Sequence, residues 1–210
     1  LGEFGGPTTG KLLEPLHAAG VQPTEIDTVL NSHYHGDHIN GLRNKAGDYV
    51  FAKAKVMVPT TEHAFWMDDA RMAAAPQGMK GAFENVRRTF ASMPQGMLVP
   101  FEPGAEVAPG IQSIAAYGHT PGHPLFPLPP AGPPFDYVAA LTNVPALLAR
   151  NPDWAVTFDM DAEAARKVRR EMLARTVTSQ SLVGGFHFPF PALGRMVAAG
   201  QGYAFEPLKA

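Results

Sequence analysis

The run Ile26-Asp27-Thr28-Val29-Leu30 passes without a spacer into Asn31-Ser32-His33-Tyr34-His35-Gly36-Asp37-His38. A short, β-branched apolar run of this kind reads as a buried strand. The segment after it is neither strand nor helix throughout, because Gly36 and Gly41 punctuate it. Open α/β sheets build their sites where a strand gives way to such polar, turn-forming residues. The pattern recurs along the chain. Lys55–Val58 reads as a strand followed by a helix from about Thr61, and residues 77–92 read as a further helix. Ile111–Ala116 is a strand that runs to the turn Gly118-His119-Thr120-Pro121-Gly122-His123, and residues 136–142 read as another strand. Asp161 caps a helix, AEAARKVRREML, with Ala164, Val168 and Met172 on one face. Ser181–Val183 is a strand ending at Gly184-Gly185-Phe186-His187, and Tyr203–Phe205 closes the chain. Near the start, Pro7, Thr8 and Thr9 open a helix through Leu12, Leu13 and Leu16 to Gly20, which Pro15 kinks or shortens. Strands alternating with helices give an α/β class, and 210 residues without repeats give a single domain over 1–210.

Composition narrows the function classes. With 45% hydrophobic and 17% charged residues the chain can bury a core. Its net charge of −2, without a basic run, argues against a nucleic-acid partner. No apolar stretch approaches the ~18 residues of a membrane span. There are no cysteines, so any metal must be held by His and carboxylate. The opening LGEFGGPTTG has neither the basic nor the apolar region of a secretory leader, and no initiator Met. The expectation is a soluble protein with upstream sequence missing, periplasmic or secreted if a leader has been removed. The 21 prolines are unevenly spread, seven of them lying between Pro121 and Pro134. Proline cannot donate to a ladder, so PLFPLPPAGPP (124–134) is expected as loop, or at best sheet edge.

Histidine carries the chemistry. Three of the eight, His33, His35 and His38, fall within six residues, with Asp37 among them. Imidazole and carboxylate suit Zn²⁺, Fe or Mn. Side chains two apart in an extended segment share a face, so His33 and His35 can grip one ion. Asp37 and His38, past the Gly36 bend, can turn towards a second. His119, His123 and His187 each follow a predicted strand, where they could converge with the first cluster. His17 and His63 read as structural or exposed.

The string His33-Tyr34-His35-Gly36-Asp37-His38 resembles the HxHxDH signature of the metallo-β-lactamase superfamily, and the GHTPGH turn and His187 follow in the same order. More narrowly, FWMDD (65–69), FEPGAEVAPGI (101–111), RNPDW (150–154), FDMD (158–161) and HFPFP (187–191) resemble the branch containing methyl parathion hydrolase and quorum-quenching lactonases. The resemblance implies an αββα sandwich with a dinuclear site at one edge. It places His33, His35 and His119 on a first metal and Asp37, His38 and His187 on a second. Asp37 would also orient the hydroxide, and His123 would orient a ligand without binding metal. The ions implied are divalent, zinc first, with iron, manganese or cobalt as alternatives. A metal-bound hydroxide would attack a lactone, ester or organophosphate triester, since coordination brings water's pKa to ~7. Trp66, Phe83, Phe188 and Phe190 are candidate pocket walls for a small uncharged ester-like substrate, with ordinary core packing as the competing reading. A homodimer is the expected assembly.

Three departures qualify this. Where the family reads D-x-T-N-H-P-A-L, this chain reads Ala140-Leu141-Thr142-Asn143-Val144-Pro145-Ala146-Leu147, so the metal-bridging Asp falls on Ala140 and the His on Val144. Asp136 is the nearest carboxylate, ~13 Å away along a strand. The proline-rich stretch replaces a hairpin, and the family's first strands and D-x-G turn would precede Leu1, leaving the sandwich without its N-terminal strands. Losing a bridging anion predicts weaker occupancy at the Asp37/His38/His187 site. The alternatives are a β-lactamase-like or thioester hydrolase, and a diverged non-catalytic homologue weakened by Ala140. The flavodiiron relatives carry Glu where His35 stands, so redox chemistry is not expected.

Overall fold

A computed structural model describes residues 1–129 and 132–209. Contacts divide the chain into two compact units, 1–102 and 103–210.

The first unit is built on a parallel sheet of three strands, β1 (Thr28–Leu30), β2 (Lys55–Pro59) and β3 (Leu98–Phe101), in that order. Its helices are α1 (Leu13–Ala18), α2 (Gly36–Ile39), α3 (Thr60–Met67), α4 (Asp69–Ala74) and α5 (Gln77–Phe90). Parallel strands need crossover connections, and α3 to α5 supply the one between β2 and β3. On α5 the buried Phe83, Val86 and Phe90 recur at helical spacing. They meet Val56 and Val58 of β2, Ile39 of α2 and Trp66 of α3 in one core. The helix expected to run to Gly20 from Pro7 is confined to α1, and Pro15 is its third residue, where no intrahelical N–H is required.

The second unit contains a six-stranded sheet in the order β11-β10-β9-β8-β7-β6 and a small β4-β5 pair. The strands are β4 (Glu106–Ala108), β5 (Ile111–Gln112), β6 (Ile114–Ala115), β7 (Pro124–Leu128), β8 (Phe135–Tyr137), β9 (Leu182–Gly184), β10 (Leu193–Ala199) and β11 (Gly202–Pro207). β8 and β9 are parallel, and the crossover between them carries α6 (Pro145–Leu148) and α7 (Ala162–Ser179). Every other pairing in the large sheet is antiparallel. Leu125, Val138, Leu173, Val183, Phe188 and Met196 form the core of this unit.

The structure departs from the sequence expectations at several elements. The proline-rich stretch is not loop over its first half. Residues Pro124–Leu128 form β7, inside the sheet between β6 and β8. Pro124 is the first residue of that strand, and β6 pairs only with Pro124 and Leu125. Pro127 lies past the end of that pairing, so its missing N–H takes no ladder bond from β6. Pro130 and Ala131 lie outside the described residues. The strand expected over 136–142 ends at Tyr137, because Ala139 turns the backbone into the left-handed region at φ 47°. The strand expected over Ile111–Ala116 is broken at Ser113. On α7, Asp161 caps as expected, accepting from the Ala164 N–H at 3.0 Å. Its fully buried stripe, however, is Ala165, Arg169, Leu173 and Thr176, one residue on from the expected face, with Val168 and Met172 only half-buried.

Gly118 opens the GHTPGH turn at φ +125°, and a Cβ there would sit 2.2 Å from the Ala165 backbone nitrogen. Gly118→Ala is therefore expected to cost about 2 kcal/mol or more, from backbone strain and overpacking together. Gly81, inside α5, has nothing within 4 Å of such an atom. Gly81→Ala should instead stabilise by about 0.5–1 kcal/mol. Urea denaturation midpoints of the two variants check both signs.

Candidate metal centre

In the first unit, β1 ends at Leu30 and the chain stays extended to His35 before turning into α2 at Gly36. The Asn31 N–H donates to the Met57 carbonyl at 3.0 Å, which fixes the exit from the sheet. The extended stretch followed by one helical turn gathers the histidines. The ring centroids of His33 and His35 lie 4.9 Å apart, and those of His33 and His38 lie 4.0 Å apart. Asp37 Oδ2 is 3.3 Å from His38 Nε2. His33 is fully buried, and its Nδ1 is hydrogen-bonded with Ser32 Oγ at 3.0 Å.

Tyr34, between the two histidines, points the other way, into the core. Its hydroxyl donates to His63 Nδ1 at 2.8 Å and its ring stacks on Phe90. Burial, reinforced by the neighbouring Glu62 charge, pushes the Tyr34 hydroxyl well above the usual phenol range. Burial lowers His63, which suits its role as the neutral acceptor of that bond. His63 is thus structural and His17 exposed, as expected.

In the second unit His119 follows Gly118 in the turn that meets the start of α7, where the Asp161 N–H donates to the Gly118 carbonyl at 2.9 Å. His119 Nδ1 donates to Asp159 Oδ1 at 2.9 Å. That bond fixes the tautomer and presents Nε2, the arrangement by which a carboxylate orients a metal-ligating imidazole. Asp159 Oδ2 in turn accepts from Arg169 at 3.2 Å and from the Val156 N–H at 3.2 Å. Burial alone would raise the Asp159 carboxyl. The bonds from His119 and Val156 and the Arg169 charge outweigh it and hold the group below its ordinary range. Arg169 is itself buried, donating to the carbonyls of Leu141 at 2.8 Å, Pro152 at 3.2 Å and Trp154 at 2.5 Å.

His123 is fully buried, and both its nitrogens face backbone. Nδ1 donates to the Ala116 carbonyl at 3.1 Å, and Nε2 accepts from the Ala140 N–H at 3.3 Å. Ala140 is buried, and Asp136 pairs with Arg175 at 3.3 Å. His187 is exposed beside Phe186 and borders a cavity of about 610 Å³ lined also by Val144, Arg150, Phe188, Tyr203 and Phe205.

The aromatic candidates separate. Trp66 and Phe83 are 2% and 1% exposed and belong to the core of the first unit, where the indole N–H donates to Glu62. Phe188 packs on Phe205 in the second core yet also lines the cavity beside His187, and Phe190 is exposed. Packing, not ligand contact, is the role the structure gives Trp66 and Phe83. Sequence reasoning missed Asp159, Arg169 and Glu62. Asp159 lies within the FDMD stretch, but nothing local marks it as the partner of a histidine 40 residues earlier.

The donor set fits a borderline divalent cation. It consists of imidazole nitrogens and a carboxylate, with the His119 tautomer fixed by its bond to Asp159 and no thiolate in the chain. Fold and donors together describe an α/β protein with histidine-rich candidate metal-binding segments. Residues 4–126 match the family model described as "Metallo-beta-lactamase superfamily", and the chain belongs to that superfamily, whose members bind divalent metal ions. Among solved structures it is similar to the hydrolase AbOPH of the beta-lactamase superfamily, at 27% identity and TM-score 0.90 over 98% of this chain and 72% of that one. It is also similar to AidC, a dizinc quorum-quenching lactonase, at 26% identity and TM-score 0.90 over 100% of this chain and 73% of that one. A probable metal-dependent hydrolase from Staphylococcus aureus shares the fold at 22% identity and TM-score 0.70, over 84% of this chain and 60% of that one. A search of curated proteins gives no match. No helix among the described residues is long and apolar enough to cross a membrane.

Removing one partner of a buried ion pair leaves the other uncompensated. Arg169→Met is expected to destabilise the fold by about 3–5 kcal/mol, whereas Arg170→Met, at the exposed Arg170–Asp153 pair, should cost less than about 1 kcal/mol. Chemical denaturation of the two variants side by side tests this.

Proposed function

We propose that the chain is a metal-dependent hydrolase acting on a small uncharged lactone, ester or organophosphate triester. In this reading His33, His35 and His119 hold one divalent cation, and Asp37, His38 and His187 hold a second. The observation that carries it is the His119–Asp159–Arg169 relay, which orients an imidazole as metal-ligating histidines are oriented. Bound divalent ions would activate water near neutral pH and polarise the substrate oxygen that gains charge. The chain itself supplies position. Asp159 holds the proton on Nδ1 of His119. His123 spends both nitrogens on the backbone of Ala116 and Ala140, so it braces the wall of the site and binds no metal. The apolar cavity beside His187, with Val144, Phe188 and Phe205, would take the uncharged arm of a substrate. AbOPH and AidC, described as a hydrolase and a lactonase, support the class.

Ala140 favours a second, narrower reading of the same site. With one carboxylate among six ligands, two dications are poorly neutralised, so the second ion should be held less firmly than the first. Zinc-loaded protein is expected to keep one ion through mild chelation and lose the other, as read by elemental analysis. Ala140→Asp should firm the second site by about tenfold. Two tightly held ions in the unaltered protein would contradict this.

The activity is tested by offering a homoserine lactone, an aryl phosphotriester, a β-lactam and a thioester to the zinc-loaded protein. Cleavage of the lactone or the triester, abolished by a strong chelator and restored by zinc, is the expected result. Preference for the β-lactam or thioester would move the assignment within the superfamily. A chelator without effect on turnover or on the melting temperature would remove the hydrolase reading.

A further inference from the structure

In the second unit α6, β11 and the turn after β9 line the cavity of about 610 Å³, a volume within the ~300–1,000 Å³ usual for small-molecule sites. Its walls are fixed by direct contacts. The Tyr203 N–H at the start of β11 donates to the Ala149 carbonyl at the end of α6, at 2.9 Å. Gly202 lets the two backbones meet, since a Cβ there would sit 2.1 Å from the Arg150 carbonyl oxygen. Phe188 and Phe205 form the third side edge to face, with ring centroids 4.7 Å apart. Val144 adds an aliphatic surface.

Arg150 departs from this apolar lining. It follows α6 directly, and its guanidinium makes no hydrogen bond or ion pair among the described residues. Arg169, Arg170 and Arg175 of the same unit each face a carboxylate, on Asp159, Asp153 and Asp136. No carboxylate lines the cavity among the described residues, and the other basic group there is His187, assigned to metal in the reading above. A guanidinium presents a planar fork of N–H donors that matches a carboxylate. Beside an apolar wall that excludes water, such a charge-assisted pair is stronger than in open solvent. An uncharged ligand would cover the wall and leave the fork to water. A carboxylate with an apolar chain uses both.

We infer that the cavity binds a small carboxylate carrying an apolar chain, with the carboxylate on Arg150 and the chain against Val144, Phe188 and Phe205. The site needs no metal ion, so it goes beyond the hydrolase reading and stands apart from it. In that reading the same cavity takes the uncharged arm of a substrate, so an acid held there would compete with substrate.

The test titrates the full, metal-free chain with octanoate, octanamide and acetate by calorimetry, so that no bound ion can capture the carboxylate. Octanamide keeps the chain without the charge, and acetate keeps the charge without the chain. Octanoate should bind about tenfold more tightly than either. Arg150→Met should weaken octanoate about tenfold and leave octanamide unchanged. Lys167→Met removes an exposed cation on α7, outside the cavity lining, and should leave octanoate binding as it was. Val144→Glu, at an exposed position, brings a carboxylate to the wall and should also weaken octanoate about tenfold. This variant keeps the question answerable if Arg150→Met does not fold. Equal affinity for octanoate and either comparator would overturn the inference. Equal losses in Arg150→Met and Lys167→Met would do the same, as would unaltered octanoate binding in both Arg150→Met and Val144→Glu. Since no ion takes part, these results leave the hydrolase reading where it stands.

Discussion

The buried ion pair of Asp159 with Arg169 holds together a stretch that regular structure does not. Between β8 and α7 the only helix is the four-residue α6, yet this stretch carries Ala140 and Asp159 and adjoins the turn bearing His119. Arg169 reaches from α7 to three carbonyls spread from Leu141 to Trp154, and to Asp159. The guanidinium replaces, for those carbonyls, the ladder partners a strand would provide. Asp159 passes the restraint on to the ring of His119. Folding energy and the orientation of the His119 ring thus share one set of bonds.

The first unit solves the same problem with different parts. Its histidines leave a parallel strand whose register is fixed by β2, and a one-turn helix brings His38 back towards His33. Alternation along the extended segment sends Tyr34 into the core while its neighbours face away, so the packing of one residue orients two others. His123 shows the opposite economy. It shares the GHTPGH turn with His119, but its nitrogens are occupied by backbone on two separate segments.

Much of this was legible in the sequence, and the parts that were not have physical causes. The β1 run, α5, the Asp161 cap and the histidine cluster announce themselves through short-range pattern. Arg169 was invisible because charged residues are expected to face water, and only its distant carbonyl partners make burial tolerable. That is also why the expected face of α7 was off by one residue. Pro124 and Pro127 argued against a strand, and the register of β6 is what admits one. In sequence Trp66 is a candidate pocket wall, whereas its indole N–H finds Glu62 in the core. Glu62 and Asp159 act across 28 and 40 residues of chain, a range at which a single sequence carries no signal.

In the proposed ligand set His33, His35, His38, His119 and His187 bind metal and His123 does not. Histidine side-chain NMR during a zinc titration reads this directly. Ring resonances of His33, His35 and His119 should move with the first ion and those of His38 and His187 with later additions, while His123 stays in place. Movement of His123, or a His119 that does not respond while His33 and His35 do, would contradict it.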